Sequence, residues 1–546
     1  MSTVMKTPIM AILSTLRRRN IHRMAAMYLV AAWLVMQVTD VLVALAGLPS
    51  GTGKIVLSLL AVGFPTALVF SWFYSDKWWT LGSPIMSFAV LPLTSPGMDS
   101  EQLYFADGIT EMLTSELGRI DGLRIVSRTS TKRYAETEKP LREVAHELNV
   151  DALMIGSVQW NDEQVIIGLR LLDGQTGWQL WSHKFRSRYS DILLLKREIA
   201  QAVADEIQAS ITDETKESLA GKPRADAEAV KLWLSGAHHL KHNTDDSIAK
   251  ALAAFNGAIE RDPKFAEAYT GLAQAYLFLA SYNSLEKLDW VLPAAKVAAD
   301  AAIRLDPTLA EAHYALGEIH RFEWDWEAAE RAFSKGRRLD PNNSYGLFIY
   351  SNFLGSIGRH REAIENALRG VEVDPFLPGG VGELGFAYWN AGRDDEARRM
   401  YEKALELEPG FQKVQSLLAL LHIRSGNFDA ALRHLKQADS HLDSVSPIML
   451  ARTGLAYGLI GRDNDARRVL SVLQARLESG YVDAAVLAYV YIGLGDYDKA
   501  LTWLETAFEA REFTLTWIKE DWAFHTLRSN ERFQKILNRM DFPDNN

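Results

Sequence analysis

Three groups of residues in this sequence have types and spacings that could do chemistry. The first is AGLPSGTGKIVLSLL at 45–59, which has the outline of a phosphate-binding loop. Such a loop needs G-x-x-x-x-G-K-[ST]: its backbone amides cradle phosphates, its lysine reaches the outer ones and its hydroxyl holds magnesium. Gly53 and Lys54 are in place, but Leu48 stands at the first glycine position and Ile55 at the hydroxyl position. With two of four anchors missing, nucleotide hydrolysis is not expected.

The second group is the acid pair Asp107 and Glu111 in YFADGITE, four residues apart and therefore on one helix face. Acid–base catalysis needs further partners, and no histidine or second acidic pair stands nearby. The expected roles are structural, with Asp107 capping the helix and Glu111 favouring its positive end. The third group, AHHLKHN, sets His238, His239 and His242 close together. Histidines at i and i+4 can share a metal, yet no H-E-x-x-H pattern accompanies them. Nucleophile-elbow, kinase and dinucleotide signatures are absent. The chain has no cysteine, which excludes disulfides, thiol catalysis and cysteine zinc sites. Its net charge of −10, with both signs dispersed, argues against a nucleic-acid surface. The reading is a non-enzyme with no catalytic residue, no cofactor and no metal.

The elements that would position any site fall into blocks. Residues 24–46 carry no charge except Asp40, and residues 55–73 carry none. Each run approaches the roughly 20 apolar residues that cross a bilayer. GLPSGTGK then reads as the tight loop of a two-helix transmembrane hairpin within residues 1–80. Lys6, Arg17, Arg18, Arg19 and Arg23 precede the first run and only Lys54 lies in the loop. The positive-inside rule puts everything beyond residue 75 in the cytoplasm. The expectation is a multi-pass protein of the bacterial inner membrane, with the lipid bilayer as one partner and Asp40 near the outer interface or paired between helices.

Residues 84–212 alternate strand and helix signals. IMSFAVLPL and LRIVSRTS read as strands. SEQLYFADGITEMLTSELGRI and PLREVAHELNV read as helices. ALMIGSVQW, QVIIGLRLLD and WQLWSHKF, joined by NDE and GQTG, read as an antiparallel meander. DILLLKREIAQAVADEIQASI closes a small α/β domain. The polar stretch 213–224 reads as a linker.

This block, most specifically YFADGITE and LREVAHELNVDALMIGSV, resembles the TolB-amino-terminal-like (FlgO-like) α/β domain, which in bacteria commonly precedes tetratricopeptide repeats. The whole chain resembles membrane-anchored proteins of that kind, often described as adenylate cyclase-related or regulatory. The resemblance implies no catalytic residue. No segment remains for a cyclase domain or winged helix, so those descriptions would be inherited from relatives with an extra domain.

From 225 to 546 the chain repeats. RDP, LDP, LDP, VDP and LEP place prolines at 263, 307, 341, 375 and 409, the last three gaps being 34 residues. A 34-residue period with helix–turn–helix content is the tetratricopeptide (TPR) signal. Small residues such as Gly385 and Ala397 recur where helices must cross closely. Weaker copies on both sides bring the count to about eight units, and FTLTWIKEDWAFHTLRSNERFQKILNRM reads as a capping helix pair.

A TPR array curves so that the first helix of each pair lines a concave groove. By repeat phase the candidate groove residues are Tyr314, Phe348, Asn352, Phe386, Trp389, Asn390 and Arg424. The expected fold is a transmembrane hairpin, a small α/β domain and an all-α solenoid. The expected function is a membrane-held scaffold that binds a protein or peptide in this groove, with homo-oligomerisation allowed. The alternative is a sensor whose α/β domain binds a small ligand or nucleotide and signals through the array. A pocket with convergent polar groups in 84–212 would favour the sensor, and an open groove with exposed aromatics the scaffold.

Overall fold

The structure is a computed structural model. It describes residues 32–39, 41, 43, 49 and 51–64, and all of 85–543 except 96–99, 121, 161–163, 189–190, 208–224, 241–243, 283–287, 439–445 and 480–481. The chain forms two compact units, Met1–Pro84 and Ile85–Asn546.

In the first unit the described residues 32–39, 41, 43 and 52–64 are helical. The stretch 52–64 begins on a turn in which the Thr52 amide and hydroxyl both donate to the Pro49 carbonyl, at 2.9 and 2.8 Å. Among the described residues no helix is long and apolar enough to cross a membrane. This corrects the transmembrane hairpin in the expected fold class, and with it the multi-pass inner-membrane location and the bilayer as partner. The rest of the runs 24–46 and 55–73 lies outside the described residues, as does the linker 213–224.

The second unit begins with a mixed five-stranded sheet: β1 (Ser87–Val90), β2 (Arg124–Val126), β3 (Ala152–Trp160), β4 (Gln164–Asp173) and β5 (Gln179–Arg188), in the order β2-β1-β3-β4-β5. β1 pairs in parallel with β2 and β3, setting Phe88 beside both Ile125 and Ala152, and is buried along its whole length. Continuous apolar strands such as SFAV suit a strand covered on both faces. β3, β4 and β5 run antiparallel, and β4 alternates, with Val165, Ile167, Leu169 and Leu171 turned inward. Helices α1 (Ser100–Gly118), α2 (Arg128–Thr131), α3 (Leu141–Glu147) and α4 (Ile192–Glu206) surround the sheet. Val144 and Ala145 of α3 pack with Ala89 and Leu153 in one core, whereas Ile109 and Leu113 of α1 and Val203 of α4 pack with Phe88 in another. The second core continues into Val230, Leu234 and Phe265 from the repeats. The sheet and the first repeat therefore share buried surface.

Sixteen helices follow as eight antiparallel pairs: α5 and α6 (Ala227–Leu240, Asp245–Arg261), α7 and α8 (Ala266–Tyr282, Leu288–Leu305), α9 and α10 (Ala310–Phe322, Trp326–Leu339), α11 and α12 (Ser344–Ser356, His360–Val373), α13 and α14 (Pro378–Asn390, Asp394–Leu407), α15 and α16 (Gln412–Arg424, Phe428–Ala438), α17 and α18 (Pro447–Leu459, Asp463–Ser479), and α19 and α20 (Ala484–Gly493, Tyr497–Glu509). Close crossings need small residues. A Cβ on Gly385 would lie 2.6 Å from the Tyr401 ring, and one on Gly458 only 2.3 Å from the Gly493 carbonyl carbon. The turn within a pair takes a left-handed residue, supplied by Gly358, Gly392, Gly426, Gly461 and Gly495. In the α9–α10 turn the same place holds Trp324, at φ 60°. A bulky residue in that region is strained and persists only when its surroundings demand it.

Those surroundings are the other end of the chain. After α20 the chain makes two 3₁₀ turns, Phe513–Trp517 and Trp522–Leu527, and helix α21 (Glu531–Met540), rather than a capping helix pair. The Trp324 ring lies tilted against Phe508 with centroids 5.3 Å apart, and the Trp326 indole N–H donates to the Met540 carbonyl at 2.9 Å. The array thus closes on itself, its third pair against its last.

Candidate functional site

The concave helices carry two contrasting surfaces. The first involves the residues picked out by repeat phase. Tyr314 is 1% exposed, its ring tight against Gly336 and Gly346, and burial pushes its hydroxyl well above the usual range. Phe348 is equally enclosed, against Gly370 and Gly380. Both serve contacts between repeats. Asn352 is half-buried on α11.

Phe386, Trp389 and Arg424 do come together. The Arg424 guanidinium lies 4.1 Å above the Trp389 ring and is ion-paired with Asp394. Beside them on α13, Asn390 has both side-chain polar atoms buried without a hydrogen-bond partner. This cluster is not open. Trp517 meets Phe386 edge-on at 5.0 Å and Trp522 meets Trp389 at 5.9 Å. The same segment stacks Phe513 on Phe322 at 4.4 Å and pairs Glu520 with His360 at 3.2 Å. Asp521 accepts from the Tyr489 hydroxyl at 2.8 Å and faces Arg452 at 3.4 Å. The chain's own residues 513–522 fill the concave face of the middle repeats.

The second surface is a cleft of about 480 Å³ between α1 and the concave faces of the first repeats. From the sheet side it is lined by Asp107, Glu111, Glu116, Arg119, Arg128 and Lys196. From the repeat side come Trp233 and His238 of α5, Glu267, Gln274 and Phe278 of α7, Glu311 of α9, and Asp340 and Tyr345. Asp107 sits well inside α1 and is ion-paired with Arg128, so it does not cap the helix as expected. His238 and His239 lie edge-on at 5.8 Å, and His242 is outside the described residues. Among the described residues no metal-holding cluster of three such ligands occurs.

The connections between pairs hold the two walls in register. Asn342, two places after Asp340, donates through Nδ2 to the carbonyls of Gly118 and Leu123, at 2.8 and 2.7 Å. Its Oδ1 accepts the Ile125 amide at 3.3 Å. One period later Asp374 accepts from the Ser130 hydroxyl at 2.5 Å, and Ser130 Oγ accepts the Phe376 amide at 3.0 Å. One period earlier Arg119 donates to the Thr308 carbonyl. The D-P turns were legible as helix breakers; their docking role was not. The only signal was the polar residue following two of these prolines, Thr308 and Asn342.

Charge is unevenly neutralised here. Burial alone would raise Glu116, but Lys196 at 3.2 Å, with Arg119 and Arg197, outweighs it and holds the carboxyl at about 2. Asp340 goes the other way: burial, helped by the negative charge of Glu311, pushes it up to about 7. The folded chain therefore holds this proton more tightly than the unfolded chain, whose ordinary value is 3.8. The stability it contributes is complete below 3.8 and is lost as pH rises through about 7. Denaturant titrations across that window should show the parent losing stability with rising pH, and Asp340→Asn should flatten the profile. Parallel profiles for the two proteins would show that Asp340 titrates normally.

The chain carries tetratricopeptide repeats: residues 383–445 and 485–514 each match a tetratricopeptide-repeat family model. Among curated proteins, the chain is 28% identical over 241 residues to "Putative adenylate cyclase 3" of Rhizobium meliloti, covering 43% of this chain and 41% of that one. It is 31% identical over 95 residues to "Small glutamine-rich tetratricopeptide repeat-containing protein 2" of Mycosarcoma maydis, covering 17% and 27%. The chain thus spans less than half the length of either relative. Among solved structures, PilF of Pseudomonas aeruginosa is 22% identical, covering 40% of this chain and 93% of that one, with a TM-score of 0.32.

Proposed function

We propose that this protein is an interaction scaffold whose open recognition surface is the cleft beneath α1, rather than the groove of the middle repeats. The observation that carries the reading is the contrast between the two concave surfaces. Phe386 and Trp389 are covered by Trp517 and Trp522, whereas Tyr345 at the cleft stays 43% exposed beside Phe278. Aromatic anchors left at a polar rim are what a binding surface offers. In this proposal the α/β block 84–212 forms one wall of the site, and the repeats 225–546 form the other. No catalytic role is assigned; the cyclase in the Rhizobium relative's name belongs to a protein of which 41% is matched.

A photo-crosslinking amino acid placed at Gln274 in the cleft, and separately at Asn352, tests this with peptides selected on the full chain. Crosslinks should form from position 274 and not from 352. The reverse pattern would return recognition to the middle groove.

The sensor reading keeps one supporting observation, the convergence of Glu116, Arg119 and Lys196 on the sheet side of the cleft. It requires a small ligand to raise the melting temperature of the full chain without any peptide.

A further inference from the structure

We infer that β5, the uncovered edge of the sheet, pairs with an acidic, extended segment of a partner protein that adds as a further strand. This goes beyond the cleft reading and does not depend on it.

β5 ends the strand order, so one side of its ten residues faces no neighbouring strand. In an antiparallel pair, alternate residues direct their N–H and C=O groups away from the partner strand. Those of β5 meet no other backbone or side-chain group among the described residues. Such a row is a template for strand addition.

The edge is also apolar where it begins. Trp178 and Leu180 are 60% and 39% exposed. Leu171 and Leu172 pair with Trp181 and Gln179, which leaves Leu180 without a counterpart, as the extra residue of a bulge. Beyond the bulge Trp181, His183 and Phe185 form a ladder of rings, with successive centroids 6.0 and 4.5 Å apart. Phe185 anchors that ladder in the core, so β5 stays extended without a further strand beside it.

Charge names the occupant. The register sets Arg170 opposite Ser182, Lys184 opposite Gly168, Arg186 opposite Ile166 and Arg188 opposite Gln164. Opposed and alternate residues share a face, so these four cations stand together on the face turned away from Phe185. All four are exposed, and no acidic residue of β3, β4 or β5 shares that face. Arg188 pairs with Asp191 at 3.1 Å, whereas Arg170, Lys184 and Arg186 make no ion pair among the described residues. This basic strip belongs to a chain whose net charge is −10. Its like charges disfavour a second copy of β5. An acidic strand instead gains opposite-charge cross-strand pairs with Lys184 and Arg186, and its apolar residues can lie on Trp178 and Leu180.

The test is subtractive selection of displayed random decapeptides, enriched on the full chain and depleted on Lys184→Glu/Arg186→Glu. Both side chains are exposed and unpaired, so this variant should keep the parent's circular dichroism. Enriched peptides should carry Asp or Glu at alternate positions, and the variant should bind them at least about tenfold more weakly. Replacing those acids with lysine should reverse the preference between the two proteins. Strand pairing uses alternate amides, so one of two alternating N-methylation patterns should abolish binding and the other should not. Enrichment of neutral or basic peptides, or of none, would overturn the proposal. Equal sensitivity to both methylation patterns would do the same, since it means attraction without strand pairing. Single-stranded RNA or phosphatidylserine vesicles binding through Lys184 and Arg186, with no acidic peptide enriched, would overturn the peptide assignment. A dimer of the full chain that the variant loses would give the edge to a second copy and overturn it as well.

Discussion

Replacing Trp326 with alanine should cost about 3–5 kcal/mol and open the closed array, the usual range for truncating a buried tryptophan. The residue is 6% exposed, its indole N–H donates to the Met540 carbonyl at 2.9 Å, and its ring stacks on Phe542 at 4.6 Å. In an open solenoid each repeat touches only its neighbours, so damage stays local. Here Trp326 lies in the third pair and its partners lie at the end of the chain, so one substitution should weaken a seam far away in sequence. The denaturation midpoint should fall, the radius of gyration should rise in small-angle scattering, and proteolysis should begin within residues 510–543. A variant as compact and resistant as the parent would show that the seam holds nothing.

Asn342→Ala should have the next largest effect. Its amide satisfies the carbonyls of Gly118 and Leu123, and its carbonyl oxygen takes the Ile125 amide and Arg369 Nη2, the latter at 3.0 Å. Alanine removes all four contacts and leaves buried backbone groups unpaired, at about 1–3 kcal/mol for each one that water cannot reach. Because these partners end α1 and enter β2, the damage should separate the sheet from the repeats rather than melt the repeats. Hydrogen exchange should rise in 118–130 and remain slow in α17–α20. Exchange that rises evenly along the chain would place Asn342 in the general core instead.

The repeats were legible because their physics is local and periodic. Prolines ending one helix and small residues at crossings leave marks every 34 residues, and the left-handed glycines from Gly358 to Gly495 carry the frame past the last proline. The antiparallel pairing of β3, β4 and β5 follows from alternation and turn chemistry in the same local way. Closure was not legible, since Trp324 meeting Phe508 and Trp517 meeting Phe386 join residues with no sequence relation. Repeat phase names Phe386, Trp389 and Arg424 together, but phase cannot say what covers them. Tyr314 and Phe348 share the phase yet fill glycine-lined gaps between repeats. The cleft was invisible for a further reason: Asp107, Glu267 and Glu311 become neighbours only when the sheet docks. The apolar runs before residue 75 satisfied a composition rule, whereas among the described residues no helix is long and apolar enough to cross a membrane.

Hydroxyl-radical footprinting of the full chain, read by mass spectrometry, tests most directly the claim that the middle groove is filled by the chain itself while the first repeats stay open. Trp178 and Trp290, 60% and 47% exposed, calibrate the rate for an open tryptophan. Trp389, Trp517, Trp522 and Phe386 should be strongly protected, and Tyr345 should be modified readily. Oxidation of Trp389 and Trp517 at the rate of Trp178, with Tyr345 protected, would contradict that claim.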